Sequence, residues 1–168
     1  YKGKWIVFFS HPNDFSPICT TEIIGLAKAD TYFKKINTEL IGISVDSLNS
    51  HLAWLYDIYL KTGLIVNFPI IADQNGVIAR KYGMITNDVS STETVRNIFI
   101  IDDKGIIRSI FVYPMNIGRY IPEILRTVTA LQYSDQNNCM TPANWSPGNP
   151  MIVPPPKTFN ALRERNES

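Results

Sequence analysis

Apolar runs of strand length alternate with stretches of helical periodicity along most of the chain. Trp5-Ile6-Val7-Phe8-Phe9 is an unbroken apolar run, which predicts a buried strand and not a chain start, so residues are expected upstream of Tyr1. Ser16-Pro17 opens a helix running to about Lys35, because Ser caps helix N-termini and Pro suits the first helical position. Leu40 to Val45 predicts a second buried strand, Ser47 to Tyr59 a helix, Phe68 to Ala72 a third strand and Gly76 to Tyr82 a short helix. Val95 to Ile101 and Ile106 to Tyr113 are β-rich runs joined by the hairpin signal Asp102-Asp103-Lys104-Gly105. Ile121 to Leu131 closes as a helix. The order β-α-β-α-β-α-β-β-α predicts an α/β fold with a mixed central sheet and helices on both faces.

Past Tyr133 the pattern breaks. Pro142, Pro147, Pro150 and the run Pro154-Pro155-Pro156 exclude a long helix or a central strand and predict an extended arm. Because that arm carries Trp145, Met151, Ile152 and Val153, it is expected to pack on its own domain or on another subunit. The strand and helix order before it is that of a thioredoxin-like core. At 168 residues, with 45% hydrophobic and 18% charged residues, the chain suits one globular domain plus this appendage, 1–133 and 134–168. A formal net charge of +1 without a basic block argues against nucleic acid or an acidic membrane as partner. No apolar run is long enough to span a bilayer, so a soluble protein is expected.

Cys19 and Cys139 are the two cysteines. They are too few for a disulfide framework and form no C-x-x-C pair, which points to a reducing, cytoplasmic compartment and makes each thiol a candidate nucleophile. With Ser16 as N-cap and Pro17 as N1, Cys19 falls at N3. Unpaired backbone N–H groups and the positive end of the helix dipole favour an anion there, and the thiolate is the reactive form of cysteine. A buried, inert thiol is the alternative from position alone. His11, His51, Cys19 and Cys139 have no metal-ligand spacing, so no metal site is expected.

The segment Pro12-Asn13-Asp14-Phe15-Ser16-Pro17-Ile18-Cys19 resembles the peroxiredoxin signature Pro-x-x-x-Thr/Ser-x-x-Cys, and Thr20-Thr21-Glu22 continues it as family members do. The likeness extends over nearly the whole chain. It implies a thiol-dependent peroxidase, without metal or organic cofactor, that reduces hydrogen peroxide and organic hydroperoxides through a Cys19 sulfenic acid. Pro12 would shield the sulfur from water, and the Ser16 hydroxyl would contact the peroxide and the sulfur. Arg96, in Val95-Arg96-Asn97-Ile98-Phe99-Ile100-Ile101-Asp102, resembles the arginine that reaches the sulfur from a neighbouring strand, where a fixed cation favours thiolate and polarises the O–O bond. Arg119, in Asn116-Ile117-Gly118-Arg119, resembles a second arginine that orders the site, with Glu22 pairing to both.

Phe9-Ser10-His11-Pro12-Asn13-Asp14-Phe15, His51-Leu52-Ala53-Trp54, Thr141-Pro142-Ala143-Asn144-Trp145 and Val153-Pro154-Pro155-Pro156 resemble the branch of one-cysteine peroxiredoxins and their prokaryotic relatives. In that branch His11 would be a pocket residue able to hydrogen-bond the oxidised sulfur. In two-cysteine members the resolving thiol precedes a similar Pro-x-x-Trp segment. That position is Thr141 here, so Cys139 is offset by two and stands between a resolving and a bystander role. The resemblance further implies an external thiol reductant, either thioredoxin-like or a small thiol, and a homodimer with the arm crossing to its partner. It leaves a decameric ring of dimers open. A family hairpin upstream of Tyr1 is expected, and Lys4 stands where phospholipase-like relatives carry a serine, so lipase activity is not carried over. The rivals are a thiol-disulfide oxidoreductase, which lacks its second cysteine because residue 22 is Glu, and an oligomeric holdase or redox-signalling protein.

Overall fold

A computed structural model describes residues 1–167. Five strands, β1 (Trp5–Ser10), β2 (Thr38–Ser44), β3 (Ile70–Ala72), β4 (Arg96–Ile101) and β5 (Ile107–Tyr113), form one sheet in the order β3-β2-β1-β4-β5. The helices are α1 (Pro17–Lys35), α2 (Leu48–Thr62), α3 (Val77–Lys81), α4 (Ile121–Asn137) and α5 (Phe159–Glu167). β1 runs parallel to β2 and β2 to β3, as helical crossovers require, whereas β4 and β5 are antiparallel additions. This is the mixed, helix-flanked sheet that the element order predicts.

The central strands are largely apolar, and most of their residues on both faces are buried. Val7, Phe9, Leu40, Ile43, Ile98 and Ile100 are fully or almost fully buried. Gly42 fits this packing for a steric reason, since a Cβ there would stand 3.1 Å from Phe9 Cζ and 3.2 Å from an Ile70 side-chain carbon. The buried stripe of α1 is Cys19, Glu22, Ile23, Leu26, Asp30 and Phe33, a recurring helical face that turns the candidate thiol and two carboxylates inward with the core residues.

Several boundaries differ from the sequence expectation. β2 begins at Thr38, paired with Trp5, two residues earlier than the apolar run suggests. Phe68 is buried but lies outside β3. α4 continues through the polar stretch to Asn137 and stops where Asn138 takes a left-handed φ of 46°. The arm ends in the short helix α5, beyond the last proline, which the expectation of an extended arm did not include. A proline constrains the residue before it more than the residues after it, and Thr158 Oγ1 accepts a hydrogen bond from the Ala161 N–H as a helix cap.

The chain divides into two compact units, Tyr1–Pro122 and Glu123 onward. Within the second, Trp145 is buried, its ring lies 6.0 Å from that of Tyr133, and its indole N–H donates to the Asn149 carbonyl. Met140 and Ile152 pair as an antiparallel bridge. Among the described residues no helix is long and apolar enough to cross a membrane.

Candidate active site

The site in the first unit is built where the C-terminal end of β1 feeds the N-terminus of α1. Between them Phe15 adopts a left-handed φ of 60°, a conformation uncommon outside glycine, which reverses the chain so that Ser16 can cap the helix. Ser16 Oγ accepts from the Cys19 backbone N–H at 3.4 Å, and Pro17 fills N1. Cys19 therefore occupies the first helical turn, and it is wholly buried. The helix end is locked from the side, because the Trp54 indole N–H donates to Thr20 Oγ1, which itself donates to the Ser16 carbonyl.

Two arginines converge beside the sulfur from positions remote in sequence. Arg96, the first residue of β4, places Nη1 at 3.4 Å from Cys19 Sγ and at 2.7 Å from Glu22 Oε2, while its Nε donates to the Met115 carbonyl. Arg119 gives Glu22 three more hydrogen bonds, from its backbone N–H, Nε and Nη2. Its Nη1 donates to the carbonyls of Ser10 and Asn97, and its guanidinium lies 5.3 Å over the Phe9 ring. With Glu22 as a carboxylate, two guanidiniums and one anion leave a surplus of one positive charge in a buried site. Charge–charge interaction is strong where water is excluded, so this surplus favours negative charge that develops at the sulfur or on an oxygen bound beside it.

Cys19, Ser16, Glu22, Arg96 and Arg119 form one connected set of contacts. Pro12 is buried in the β1–α1 loop, and His11, also buried, begins that loop. Cys139 belongs to the second unit, just beyond α4, where it is partly exposed, its sulfur 3.9 Å from the Tyr133 carbonyl.

Asp14, His51 and Ser50, to which the sequence assigns no role in the site, meet beside it. Asp14 Oδ1 lies 2.8 Å from His11 Nε2, and Asp14 Oδ2 receives His51 Nδ1 at 2.8 Å and Ser50 Oγ at 2.7 Å. Ligand-type atoms of His11, Asp14 and His51 thus sit within 4.8 Å of one another, a grouping that their spacing does not reveal. Each carboxylate oxygen faces one ring nitrogen at hydrogen-bond length. Burial opposes the charge of Asp14, but its bonds to His11, His51 and Ser50 outweigh this and hold it well below the usual carboxylate range. Burial lowers His11, helped by the positive charge of Arg119 and His51 and opposed by Asp14. For His51 burial is outweighed by the bond and charge of Asp14, the Ile71 carbonyl and Asp46, and its value is raised.

A pH dependence of stability results. His51 binds its proton more tightly folded than unfolded, so its contribution is complete below the ordinary value of 6.5 and is lost as pH rises through the raised one. The stability gap between the wild type and His51→Gln, measured by chemical unfolding, is expected to shrink from pH 6 to pH 9. A gap that widened with pH would contradict the assignment.

Comparison with known proteins places the geometry. Residues 1–110 match the AhpC/TSA family, and residues 130–168 match the C-terminal domain of 1-Cys peroxiredoxin. The chain is 54% identical over 165 residues to peroxiredoxin 2 of Caldanaerobacter subterraneus subsp. tengcongensis, covering 98% of this chain and 75% of that protein. Among solved structures, a yeast mitochondrial 1-Cys peroxiredoxin, described in terms of thiol resolution by glutathione and thioredoxin systems, superposes with a TM-score of 0.88 at 41% identity, over 97% of this chain and 80% of that one. A cysteine-to-serine mutant of peroxiredoxin 6 from Arenicola marina gives a TM-score of 0.88 at 34% identity, over 97% and 77%.

Proposed function

The chain belongs to the AhpC/TSA family of peroxiredoxins and is a thiol-dependent peroxidase, and from that premise we propose that Cys19 is its peroxide-reacting thiol, with Ser16, Arg96 and Pro12 forming the peroxide pocket. The observation that carries this reading is the 3.4 Å approach of Arg96 Nη1 to the Cys19 sulfur. The thiolate attacks the terminal oxygen of a hydroperoxide. A new S–O bond forms as the O–O bond breaks, sulfur is oxidised to sulfenic acid, and the departing oxygen takes a proton to leave as water or an alcohol. Arg96 stabilises the negative charge as it moves from sulfur to that oxygen. Donors fixed in this way contribute about 100- to 1000-fold to rate. Glu22 and Arg119 hold Arg96 in place, and His11 lines the pocket.

An external thiol, thioredoxin-like or small, closes the cycle, in keeping with the thiol systems named for the yeast relative. Cys139 is the resolving candidate within the chain, and its partial exposure supports that role. After one equivalent of peroxide, non-reducing electrophoresis is expected to show a disulfide-linked dimer band that disappears in Cys139→Ser. A band persisting in that variant would remove Cys139 from the mechanism and leave reduction to the external thiol alone.

A homodimer, with a decameric ring as a larger assembly, fits the exposed apolar side chains Ile110 and Val112 on edge strand β5. A cytoplasmic location fits free thiols that must be kept reduced.

A further inference from the structure

We infer that Asp14 and His51 are positioning residues for this site: the Asp14 carboxylate, braced by His51 and Ser50, holds His11 as the tautomer with its proton on Nε2 and a buried lone pair on Nδ1.

The inference comes from tracing each proton. A carboxylate only accepts hydrogen bonds, so both ring nitrogens that face Asp14 at 2.8 Å must carry hydrogen, His11 on Nε2 and His51 on Nδ1. Ser50 Oγ adds a third donor to the same group, and the Asp14 backbone N–H is tied to Asp46 Oδ2 at 3.1 Å. His51 Nε2 lies 3.4 Å from the Ile71 carbonyl, which also only accepts, so His51 donates from both nitrogens as an imidazolium. Asp14 and His51 then form a buried ion pair. His11 has no such second acceptor. Its Nδ1 is buried and has no hydrogen-bond partner among the described residues. A proton there would be an orphaned donor and would add a positive charge near His51 and Arg119. Nδ1 therefore keeps its lone pair.

The charged and titratable groups around the two histidine rings come from four parts of the fold: Asp14 in the β1–α1 loop and His51 on α2, with Arg119, before α4, acting on His11 and Asp46, after β2, acting on His51. Asp14 favours a proton on Nε2, whereas the positive charges of Arg119 and His51 oppose a second proton on the ring. His11 is thus a fixed acceptor of an O–H proton rather than a switching acid. The peroxide and the sulfenic acid are the O–H groups of the reaction proposed above, and the effect of the tautomer on rate rests on that reading. The tautomer itself can be read without turnover.

The test is multiple-bond proton–nitrogen NMR on the reduced, nitrogen-15-labelled full chain at pH 7. Expected are a protonated Nε2 and an unprotonated Nδ1 on His11, with both nitrogens of His51 protonated. A proton on His11 Nδ1, or a neutral His51, overturns the inference whatever the enzyme's activity. Two variants extend it to function. Asp14→Ala should leave His11 mixed between tautomers and slow single-turnover oxidation of Cys19, or the subsequent reduction, at least about tenfold, as loss of a histidine-orienting carboxylate does elsewhere. Asp14→Asn can accept from His11 through its oxygen and donate to His51 through its amide, so it should restore both the tautomer and most of the rate. A folded Asp14→Ala with wild-type tautomer and rates counts against the inference, as does failure of Asp14→Asn to rescue. Loss of the peroxidase reading would show differently, as turnover that survives Cys19→Ser while the His11 spectrum stands.

Discussion

Cys19→Ser is expected to reduce thiol-dependent peroxide consumption to the background of the reductant alone. The serine hydroxyl occupies the same N3 position beside Arg96, but it does not ionise at neutral pH and its oxygen cannot be carried through a sulfenic acid cycle. The buried site loses little volume, so the fold should persist and the variant should unfold close to the wild type. Measured by peroxide loss with dithiothreitol or thioredoxin as reductant, unchanged turnover would remove Cys19 from the chemistry. The same assay separates the peroxidase from a protein whose output is binding alone, since a holdase would keep its client protection in this variant.

Glu22→Ala should produce the largest structural loss. The carboxylate accepts four hydrogen bonds from two buried arginines, and its removal leaves both guanidiniums close together without their anion. Breaking a buried ion pair from one side costs about 3–5 kcal/mol, because the remaining charge stays desolvated. Some of the anchoring survives, as Arg119 keeps the Ser10 and Asn97 carbonyls and Arg96 keeps that of Met115. Peroxidase activity should fall together with stability, since Arg96 loses the contact that fixes Nη1. Chemical unfolding gives the check, and a loss below about 1 kcal/mol would mean that the network relaxes far more easily than its burial implies.

Much of this was legible from residue order. The strand runs, the Ser16-Pro17 helix start and the hairpin at Asp102 to Gly105 are local signals, and each appears in the fold where its chemistry puts it. Cys19 was legible for the same reason, because a cap and a proline three and two residues away define its place in the helix. Arg96 and Arg119 were different. Their spacing to Cys19 says nothing about contact, and only the family resemblance brought them to the sulfur.

The Asp14 cluster was not legible at all. Asp14 was in view as part of the quoted motif, but its partners His51 and Ser50 come from α2, and only the parallel crossover through β2 carries them back to the β1–α1 loop. A hydrogen-bond network across elements leaves no periodicity to read. Helix α5 leaves a weaker trace, since the prolines exclude a long helix but not a short one begun by a capping Thr158, three residues beyond Pro154-Pro155-Pro156 at Phe159.

The most direct test is to find where the oxygen goes. Reduced protein is mixed with one equivalent of hydrogen peroxide in the presence of a sulfenic-acid trap such as dimedone, and the adduct is located by peptide mass spectrometry. The account predicts the adduct on Cys19, formed within the mixing time in the wild type and markedly slower in Arg96→Gln. An adduct confined to Cys139, or a Cys19 adduct forming equally fast without the Arg96 guanidinium, would contradict it.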